Sequence, residues 1–238
     1  MSSEKGRLYL VPVFLSDDSL PDEVFPPANA ALLKNIRHFI VEHEKQARRF
    51  LKKTVPEIPQ NDLHFFILNK HTPPESIGDF LSPLSQGHPM ALLSDAGMPA
   101  IADPGARVVR LAHEKGIEVV PLVGPSSLFL ALAASGMNGQ QFEFHGYLPV
   151  ESGALKHKIK ELTRDIRHTG KTHIFIETPY RNNKLLDTLI KQLPPDIRLC
   201  VAVNLTSPEQ ILRCKTVKRW RNDSYRPGKK PAVFIIGR

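Results

Sequence analysis

The chain has 238 residues, of which 41% are hydrophobic and 24% charged, and this composition is typical of a globular protein with one large domain or two small ones. The formal net charge of +8 favours a polyanionic partner such as nucleic acid, but it also fits a basic protein without one. No apolar run reaches the roughly 20 residues of a membrane helix, and residues 1–15 lack the cleavage site of a signal peptide, so we expect a cytoplasmic protein.

Strands and helices alternate through the first half of the chain. The apolar runs that predict strands are Arg7–Phe14, His38–Glu42, Asp62–Asn69, Pro89–Ser94 and Ile117–Val123. The segments between them predict helices at Ala28–Ile36, His43–Lys53, Pro73–Gly87 and Pro104–Gly116. Pro83 is expected to shorten or kink the third helix, because proline cannot donate a backbone hydrogen bond.

The same alternation continues in the second half. Strands are predicted at Gln141–Leu148, Lys171–Thr178, Ile197–Leu205 and Pro231–Gly237, and helices at Ser126–Gly136, Glu151–Gly170 and Arg181–Leu193. The first of these helices is apolar on nearly every side, which predicts that it is buried. The alternation predicts an α/β fold with mostly parallel sheets. A Gly-Pro pair at Gly124 predicts a hinge between two α/β domains, residues 1–122 and 123–238.

The two cysteines, Cys200 and Cys214, are expected to be reduced thiols, with Cys200 in a strand. They form no Cys-x-x-Cys pair, and no nearby histidines complete a zinc spacing. The sequence therefore predicts no metal site.

Three breaks rich in glycine, proline and small or acidic residues interrupt this pattern. Ser94–Pro99 follows a buried strand, where open α/β sheets bind ligands, and its small side chains permit close approach to the backbone, although a plain turn is the alternative. Asp103-Pro104-Gly105 fits a helix start, with Asp103 as the N-cap. Gly124–Ser127 joins a strand to the apolar helix, and its serines could cap that helix or offer hydroxyl and backbone N–H groups to a ligand.

Taken together, these breaks resemble the motifs of a known family. SDAGMPAIADPG, VPLVGPSS and FHGYLP, which lie between Ser94 and Pro149, are similar to motifs of the tetrapyrrole methylase family of S-adenosylmethionine-dependent methyltransferases. The similarity is closest to the branch that methylates a ribose 2′-OH of small-subunit ribosomal RNA. It is strong over Met90–Pro149, weaker from FIETPYR (Phe175–Arg181) to the end of the chain, and faint before Leu81.

This resemblance implies two α/β domains, S-adenosylmethionine in a cleft between them, and a homodimer. An acidic group in the cleft would favour the sulfonium and ammonium charges of the ligand. The motif at Glu177 to Arg181 resembles the family's Glu-x-Pro-x-Arg, and it predicts either a buried ion pair or a lining of the adenosyl end of the cleft. The residues implied as cofactor-binding are Ser94, Asp95, Ala96, Gly97, Asp103, Gly124, Pro125, Ser126, Ser127, Leu148, Pro179 and Ala202.

Transfer of a methyl group to a ribose hydroxyl benefits from a general base. We select Glu42 and His71 as the catalytic candidates, with His43 as a further possibility. Glu42 keeps its place in a motif that otherwise differs, since the family has Ala-Glu-Asp-Thr-Arg where this chain has Val-Glu-His-Glu-Lys. Each candidate also has a structural interpretation: Glu42 as a carboxylate favoured at the start of a helix, and His71 as an exposed loop residue.

Two basic clusters could contact RNA. One is the helix that carries Lys45, Arg48, Arg49, Lys52 and Lys53. The other lies in the tail, where aromatic residues among the cations suit stacking on single-stranded bases: Lys215, Lys218, Arg219, Trp220, Arg221, Tyr225, Arg226, Lys229 and Lys230. A solvated basic surface is the alternative for each cluster.

Three functions stay open at this point. The first is methylation of ribosomal RNA, and the second is methylation of a tetrapyrrole or another small molecule, which can also be anionic. The third is a non-catalytic RNA- or ribosome-binding protein that keeps the fold, because the family's Gly-Asn motif is lost at Val11–Ser16 and its Arg-Glu motif is lost at Ala202–Thr206.

Overall fold

The computed structural model describes residues 5–238 and shows two compact α/β units, the first ending at Ser126 and the second covering Ser127–Arg238. The predicted fold of two α/β units is confirmed. Residues 1–4, which belong to the segment judged not to be a signal peptide, lie outside the described residues. Among residues 5–238, no helix is both long enough and apolar enough to cross a bilayer.

The first unit contains a five-stranded parallel sheet. Its strands are β1 (Leu8–Val11), β2 (His38–Val41), β3 (His64–Ile67), β4 (Met90–Leu93) and β5 (Val119–Pro121). They lie in the order β3–β2–β4–β1–β5. The first strand is shorter than its apolar run because the loop after it is also buried, as at Val13 and Phe14.

Six helices of the first unit are described: α1 (Pro21–Val24), α2 (Pro27–Leu33), α3 (Glu44–Thr54), α4 (Ile77–Phe80), α5 (Ser82–Ser85) and α6 (Ala106–Glu114). Two 3-10 turns, Gln60–Asp62 and Pro74–Ser76, lie between them. The helix predicted over residues 73–87, which Pro83 was expected to shorten or kink, is divided into the 3-10 turn at Pro74–Ser76 and the short helices α4 and α5. The break lies at Leu81, and Pro83 stands in the first turn of α5, where the helix needs no backbone donor.

Helices cover both faces of the first sheet. Side chains from α2 and α3 pack on the face that contains Phe39, and those from α4, α5 and α6 pack on the face that contains Ile40. A strand covered on both faces must be apolar along its whole length, which explains the uninterrupted apolar sequence of Met90–Leu93.

The second unit contains β6 (Phe142–Tyr147), β7 (Thr172–Glu177), β8 (Arg198–Val203), β9 (Ile211–Thr216) and β10 (Ala232–Gly237), in the order β6–β7–β10–β8–β9. Within this described sheet β6 and β7 are the only neighbouring strands that pair in parallel, so the prediction of mostly parallel strands holds for the first unit but not for the second. The sequence analysis missed β9, because Arg213 and Lys215 interrupt its apolar pattern.

The helices of the second unit are α7 (Ser127–Ser135), α8 (Ser152–Thr169), α9 (Asn182–Gln192) and α10 (Val217–Trp220), with a 3-10 turn at Pro179–Arg181. The Glu151 carboxylate accepts hydrogen bonds from the first turn of α8, and Gly170 ends this helix with a φ of 73°. The prediction for α8 is therefore confirmed.

The prediction that α7 is buried holds for only one of its faces. Ala131 and Leu132 are buried, but Phe129 is 54% exposed and Leu130 is 40% exposed. An all-apolar helix thus packs through one face and leaves an apolar face open. The thiols behave as predicted: Cys200 in β8 lies opposite Cys214 in β9, and both are free.

Candidate functional site

The parallel strands of the first unit bring most of its predicted site residues to one edge of the sheet. Glu42 follows β2, His71 lies beyond β3, Ser94–Gly97 follow β4, and Gly124–Ser126 follow β5. Because all five strands run in the same direction, these loops share the edge at which open α/β sheets bind ligands.

The loops after β1, β4 and β5 are in direct contact. The Val13 N–H donates to the Gly97 carbonyl at 2.9 Å, and the Gly97 N–H donates back at 3.2 Å. Gly97 has a φ of 71°, and a Cβ placed there would lie 3.0 Å from the Leu15 side chain and 3.6 Å from the Pro125 carbonyl oxygen. The loop therefore needs glycine both for its backbone angle and for its close neighbours.

Gly124 and Ser94 also fix the shape of these loops. A Cβ on Gly124 would lie only 2.5 Å from the Pro12 side chain. The Ser94 hydroxyl donates to the carbonyls of Ala96 and Gly97, at 3.2 and 3.0 Å. Ser94 thus closes its own turn, while the side chain of Ala96 is exposed.

Asp103 holds the turn that precedes α6. Its carboxylate accepts N–H groups of Ala100 at 2.9 Å and of Gly105 at 2.7 Å. Ala100 and Ala102 have φ angles of 66° and 63°, which only a few per cent of non-glycine residues adopt. The helix begins at Ala106, so Asp103 caps this turn and is not the N-cap that the sequence predicted.

Glu42, Asp95 and Asp103 form a group of carboxyl side chains at this edge. Burial, followed by the negative charges of Asp95 and Asp103, raises the pKa of Glu42 to about 7. His43 Nδ1 lies 2.7 Å from Asp95 Oδ2, and the Gln46 amide nitrogen, oriented toward the carboxylate, donates to Asp95 Oδ1 at 2.8 Å. Glu42 is thus a half-buried carboxyl that exchanges its proton near neutral pH, as a general base must.

Within the described chain, the hydrogen bonding of His71 is confined to its own loop and does not include these carboxyl side chains. It is exposed, and its backbone N–H donates to Asn69 Oδ1 at 2.8 Å within the loop after β3. Over residues 5–238, no hydrogen bond or ion pair joins the His71 side chain to Glu42 or Asp95. The catalytic role of His71 stays a prediction without support from these contacts.

Three of the four predicted donor-binding residues of the second unit share one edge of its sheet. Leu148 follows β6, Pro179 follows β7, and Ala202 lies near the end of β8. These strands run in the same direction, since β6 is parallel to β7 and both β7 and β8 are antiparallel to β10. Ser127 begins α7. A role of these four residues in donor binding stays a prediction.

The motif at Glu177 to Arg181 forms the ion pair that the sequence predicted. Arg181 donates to Glu177 Oε2 at 2.6 Å, and the Glu177 side chain is only 1% exposed. Tyr180, which belongs to the same motif, is 80% exposed and has the Lys229 ammonium 5.2 Å from its ring centroid.

The basic helix α3 is less available to RNA than its sequence suggests. Arg48 pairs with Glu44 and lies over the Phe65 ring, 4.5 Å from its centroid. Lys53 donates to main-chain carbonyls, and Arg49 pairs with Asp17. Lys45 and Lys52 are exposed and form no ion pair within the described chain, so they are the free cations of this helix.

The prediction that Trp220 stacks on RNA is wrong. Trp220 is completely buried, and its indole N–H donates to the Leu199 carbonyl at 2.7 Å. Tyr225 packs against it and is itself covered by Arg213. These aromatic residues belong to the core of the second unit.

Gln46 and Pro12 are the site residues that the sequence analysis missed. Gln46 lies three residues after His43 on the same face of α3, and this spacing could have placed it beside Asp95. The contact of Pro12 with Gly124 depends on β1 lying beside β5, for which the sequence has no local signal.

Comparison with known proteins places these features in a family. Residues 28–219 match the profile of the tetrapyrrole (corrin/porphyrin) methylases. Ribosomal RNA small subunit methyltransferase I of Haemophilus influenzae is 36% identical over 157 residues, which cover 66% of this chain and 54% of that protein. The Pasteurella multocida protein of the same name is 40% identical over 178 residues, which cover 72% and 61%. The chain spans about half to three fifths of the length of such relatives.

Two solved structures have the same fold. The methyltransferase CobJ aligns over 98% of this chain and 94% of its own, with a TM-score of 0.63 at 15% identity. Uroporphyrin-III-C-methyltransferase from Thermus thermophilus aligns over 98% and 92%, with a TM-score of 0.55 at 17% identity. At these identities the likeness concerns the fold alone, whereas the family profile covers most of the sequence. The chain belongs to the tetrapyrrole methylase family.

Proposed function

We propose that the chain is an S-adenosylmethionine-dependent methyltransferase that acts in the cytoplasm on a ribose 2′-OH of small-subunit ribosomal RNA. The observation that carries the proposal is Glu42, a half-buried carboxyl with a pKa of about 7 at the ligand-binding edge of a parallel sheet. The names of the relatives in Haemophilus influenzae and Pasteurella multocida support this acceptor.

The loops around Glu42 fit the donor in two respects. Ala96 is exposed and carries only a methyl group, so a ligand can approach the backbone there, while Gly97 is packed against Leu15 and the Pro125 carbonyl and holds the loop in place. Asp95 supplies a negative charge for a cationic ligand, although it shares that charge with His43. When bound, S-adenosylmethionine supplies an electrophilic methyl group. The residues of the first unit that we propose hold it are Ser94, Asp95, Ala96, Gly97, Asp103, Gly124, Pro125 and Ser126.

Glu42 is proposed to accept the proton of the ribose hydroxyl. A base whose pKa lies near the operating pH is partly deprotonated and still holds a proton well once it has taken it. The charges of Asp95 and Asp103 stabilise the protonated form of Glu42, and burial acts in the same direction. Burial and the neighbouring carboxylates thus set the pKa of Glu42 near neutral pH, and the surrounding loops position the reactants.

The direct test is methyl transfer from labelled donor into RNA extracted from cells that lack this protein. We expect label in small-subunit ribosomal RNA, at a nucleotide whose 3′-phosphodiester resists alkali because the 2′-oxygen is methylated. Label in small acid-soluble molecules and none in RNA would favour a small-molecule acceptor. Donor binding without transfer to either would favour a non-catalytic protein.

RNA binding is expected to involve the free cations of α3. Replacing Lys45 and Lys52 by glutamine should weaken binding and reduce the log–log salt slope by about 0.7 to 0.9 for each phosphate that the variant no longer neutralises. Fluorescence anisotropy with ribosomal RNA fragments at several salt concentrations measures both effects. Calorimetric binding of the donor should be unchanged.

The matched control for this charge change is Arg110→Gln with Lys115→Gln. Both side chains are exposed on or beside α6 and form no ion pair within the described residues. Replacing them removes two positive charges, as the α3 variant does. A control slope that falls as far as that of the α3 variant would mean that only net charge matters. No salt-sensitive RNA binding by the wild type would count against an RNA acceptor.

We also propose a symmetric homodimer. An apolar patch on the second unit supports it, in which Phe129 of α7 packs edge-on against Phe142 of β6, and Tyr147 and Val150 are exposed nearby in sequence. Apolar patches of this kind mark interaction surfaces. Phe129→Asp should convert a dimer into a monomer in light scattering at micromolar concentration. Leu20→Asp, at an exposed leucine of the first unit, is the control, and a monomeric wild type would refute the proposal.

A further inference from the structure

A carboxylate and two imidazoles lie close together on one face of the second sheet. Glu143 of β6 lies opposite His173 of β7, and His145 is two residues further along β6 on the same face. The register of β6 shifts after Phe144, at a bulge that re-aims the strand. As a result, one nitrogen of each imidazole and one oxygen of Glu143 lie within 4.8 Å of one another.

Both imidazoles are largely withdrawn from solvent. The side chain of His173 is 1% exposed and that of His145 is 9% exposed, and His145 Nε2 lies 2.9 Å from His173 Nδ1. His173 Nε2 is buried without a hydrogen bond, although Asp165 Oδ2 of α8 is 3.2 Å away. A buried nitrogen without a hydrogen bond is costly in a protein interior, so this arrangement calls for an explanation.

We propose that Glu143, His145 and His173 bind a first-row divalent transition metal ion, with Zn²⁺ as the natural candidate. Two imidazoles and a carboxylate are the ligand types that Zn²⁺ takes in open sites. With metal–nitrogen distances of 2.0 to 2.1 Å, two ligands of a tetrahedral ion are separated by about 3.3 Å. The two imidazoles therefore need to move apart by only about 0.4 Å.

Asp165 of α8 would support the metal site through a hydrogen bond from His173. If His173 binds the metal through Nδ1, its Nε2–H points to the Asp165 carboxylate, which is the orienting contact that metal-bound histidines ordinarily have. Such a contact satisfies the buried nitrogen. Asp165 is thus a positioning residue and not a ligand.

The surroundings of the three side chains provide access for an ion. A cavity of about 480 Å³ is lined by Glu143, His145, Asp165 and His173, so an ion and its water ligands can enter. The Lys171 ammonium lies 3.1 Å from Glu143 Oε2, so its positive charge disfavours a metal cation at this carboxylate.

This site is separate from the proposed donor-binding residues of the second unit. Glu143 and His173 are the second residues of their strands, whereas Leu148 and Pro179 follow the far ends of the same strands. The metal would tie β6, β7 and α8 together at the opposite edge of the sheet. The inference goes beyond the proposed function and does not depend on it.

The test is titration of tag-free, EDTA-treated protein with Zn²⁺ in competition with a chromophoric chelator. We expect one equivalent of Zn²⁺ per chain and a higher unfolding temperature in its presence, because an ion that binds only the folded state stabilises it. His145→Ala should abolish this binding, and Asp165→Asn should weaken it about 10- to 100-fold. Lys171→Met should bind Zn²⁺ more tightly than the wild type.

Two histidine variants serve as controls. His157→Ala removes an exposed histidine of α8, and His64→Ala alters the stacked group of His38, His64 and His88 in the first unit. Both should bind Zn²⁺ as the wild type does. Circular dichroism in EDTA verifies folding, and if His145→Ala is unfolded, Glu143→Gln takes its place. Wild-type affinity in the His145 or Glu143 variant, equal losses in a control, or no tightening by Lys171→Met would overturn the proposal.

Discussion

Glu42→Gln is expected to lower the rate of methyl transfer about 100- to 10,000-fold, the usual contribution of a general base. Glutamine has nearly the same shape but cannot take a proton, so positioning is kept and base catalysis is removed. In the wild type, the rate should rise with pH and level off above about 7, the pKa of Glu42 in the free protein. The variant should show no such step in single-turnover measurements across this pH range.

The same substitution should make the protein more stable at alkaline pH. The folded-state pKa of Glu42 is raised from 4.5 to about 7, so the folded protein increasingly resists its ionisation as the pH rises between these values. Below about pH 4.5 Glu42 is protonated in both the folded and the unfolded protein, so the substitution should change the free energy of unfolding little. Above about pH 7 the gain should level off at about 1 to 2 kcal/mol, a value reduced for the half-exposed position. Loss of activity together with loss of stability at pH 8 would contradict the assignment.

Gly97→Val is expected to abolish binding of S-adenosylmethionine. The new side chain would start 3.0 Å from Leu15 in a backbone with a φ of 71°, and its branches would press on Leu15 and the Pro125 carbonyl, so the donor loop would have to shift. Isothermal titration calorimetry with the donor measures the effect, and we expect an affinity at least about 100-fold lower.

The control must separate this crowding from backbone strain. Gly136 has a φ of 69°, but a Cβ there meets nothing within 4 Å, so Gly136→Ala carries the strain alone. Gly97→Ala adds one methyl group to the donor loop and allows a like-for-like comparison. Donor affinity should fall in Gly97→Ala and stay unchanged in Gly136→Ala. Full affinity in a folded Gly97→Val protein would remove the loop from the proposed site.

Secondary structure could be predicted from the sequence where its physical cause lies within a short stretch of the chain. Strands buried on both faces have continuous apolar sequences, so β4 was predicted correctly, and α8 was predicted from its amphipathic pattern and its terminal Gly170. Glu42 was selected as a candidate because it follows a strand and keeps its place in a motif of the family that the chain resembles. Its raised pKa was not predicted, since the shift arises from burial in the folded chain and from Asp95 and Asp103, which are more than 50 residues away along the chain.

Other features depend on contacts that sequence patterns do not encode. Trp220 was assigned to an RNA surface from its basic neighbours, yet it is buried because α10 packs on β8 and β9. The apolar sequence of α7 predicted burial, but only one face of that helix finds a partner within the chain. The histidines at 145 and 173 are separated by a whole helix, and only the parallel pairing of β6 with β7 brings them together.

The left-handed alanines before α6 have a consequence for affinity. Ala100 and Ala102 each hold a backbone conformation that costs about 1 to 2 kcal/mol, and the Asp103 carboxylate keeps the turn in that shape. This segment is therefore ordered when the protein folds, before any ligand arrives. A ligand that contacts it meets amide groups whose directions are already set, so little conformational entropy is lost on binding.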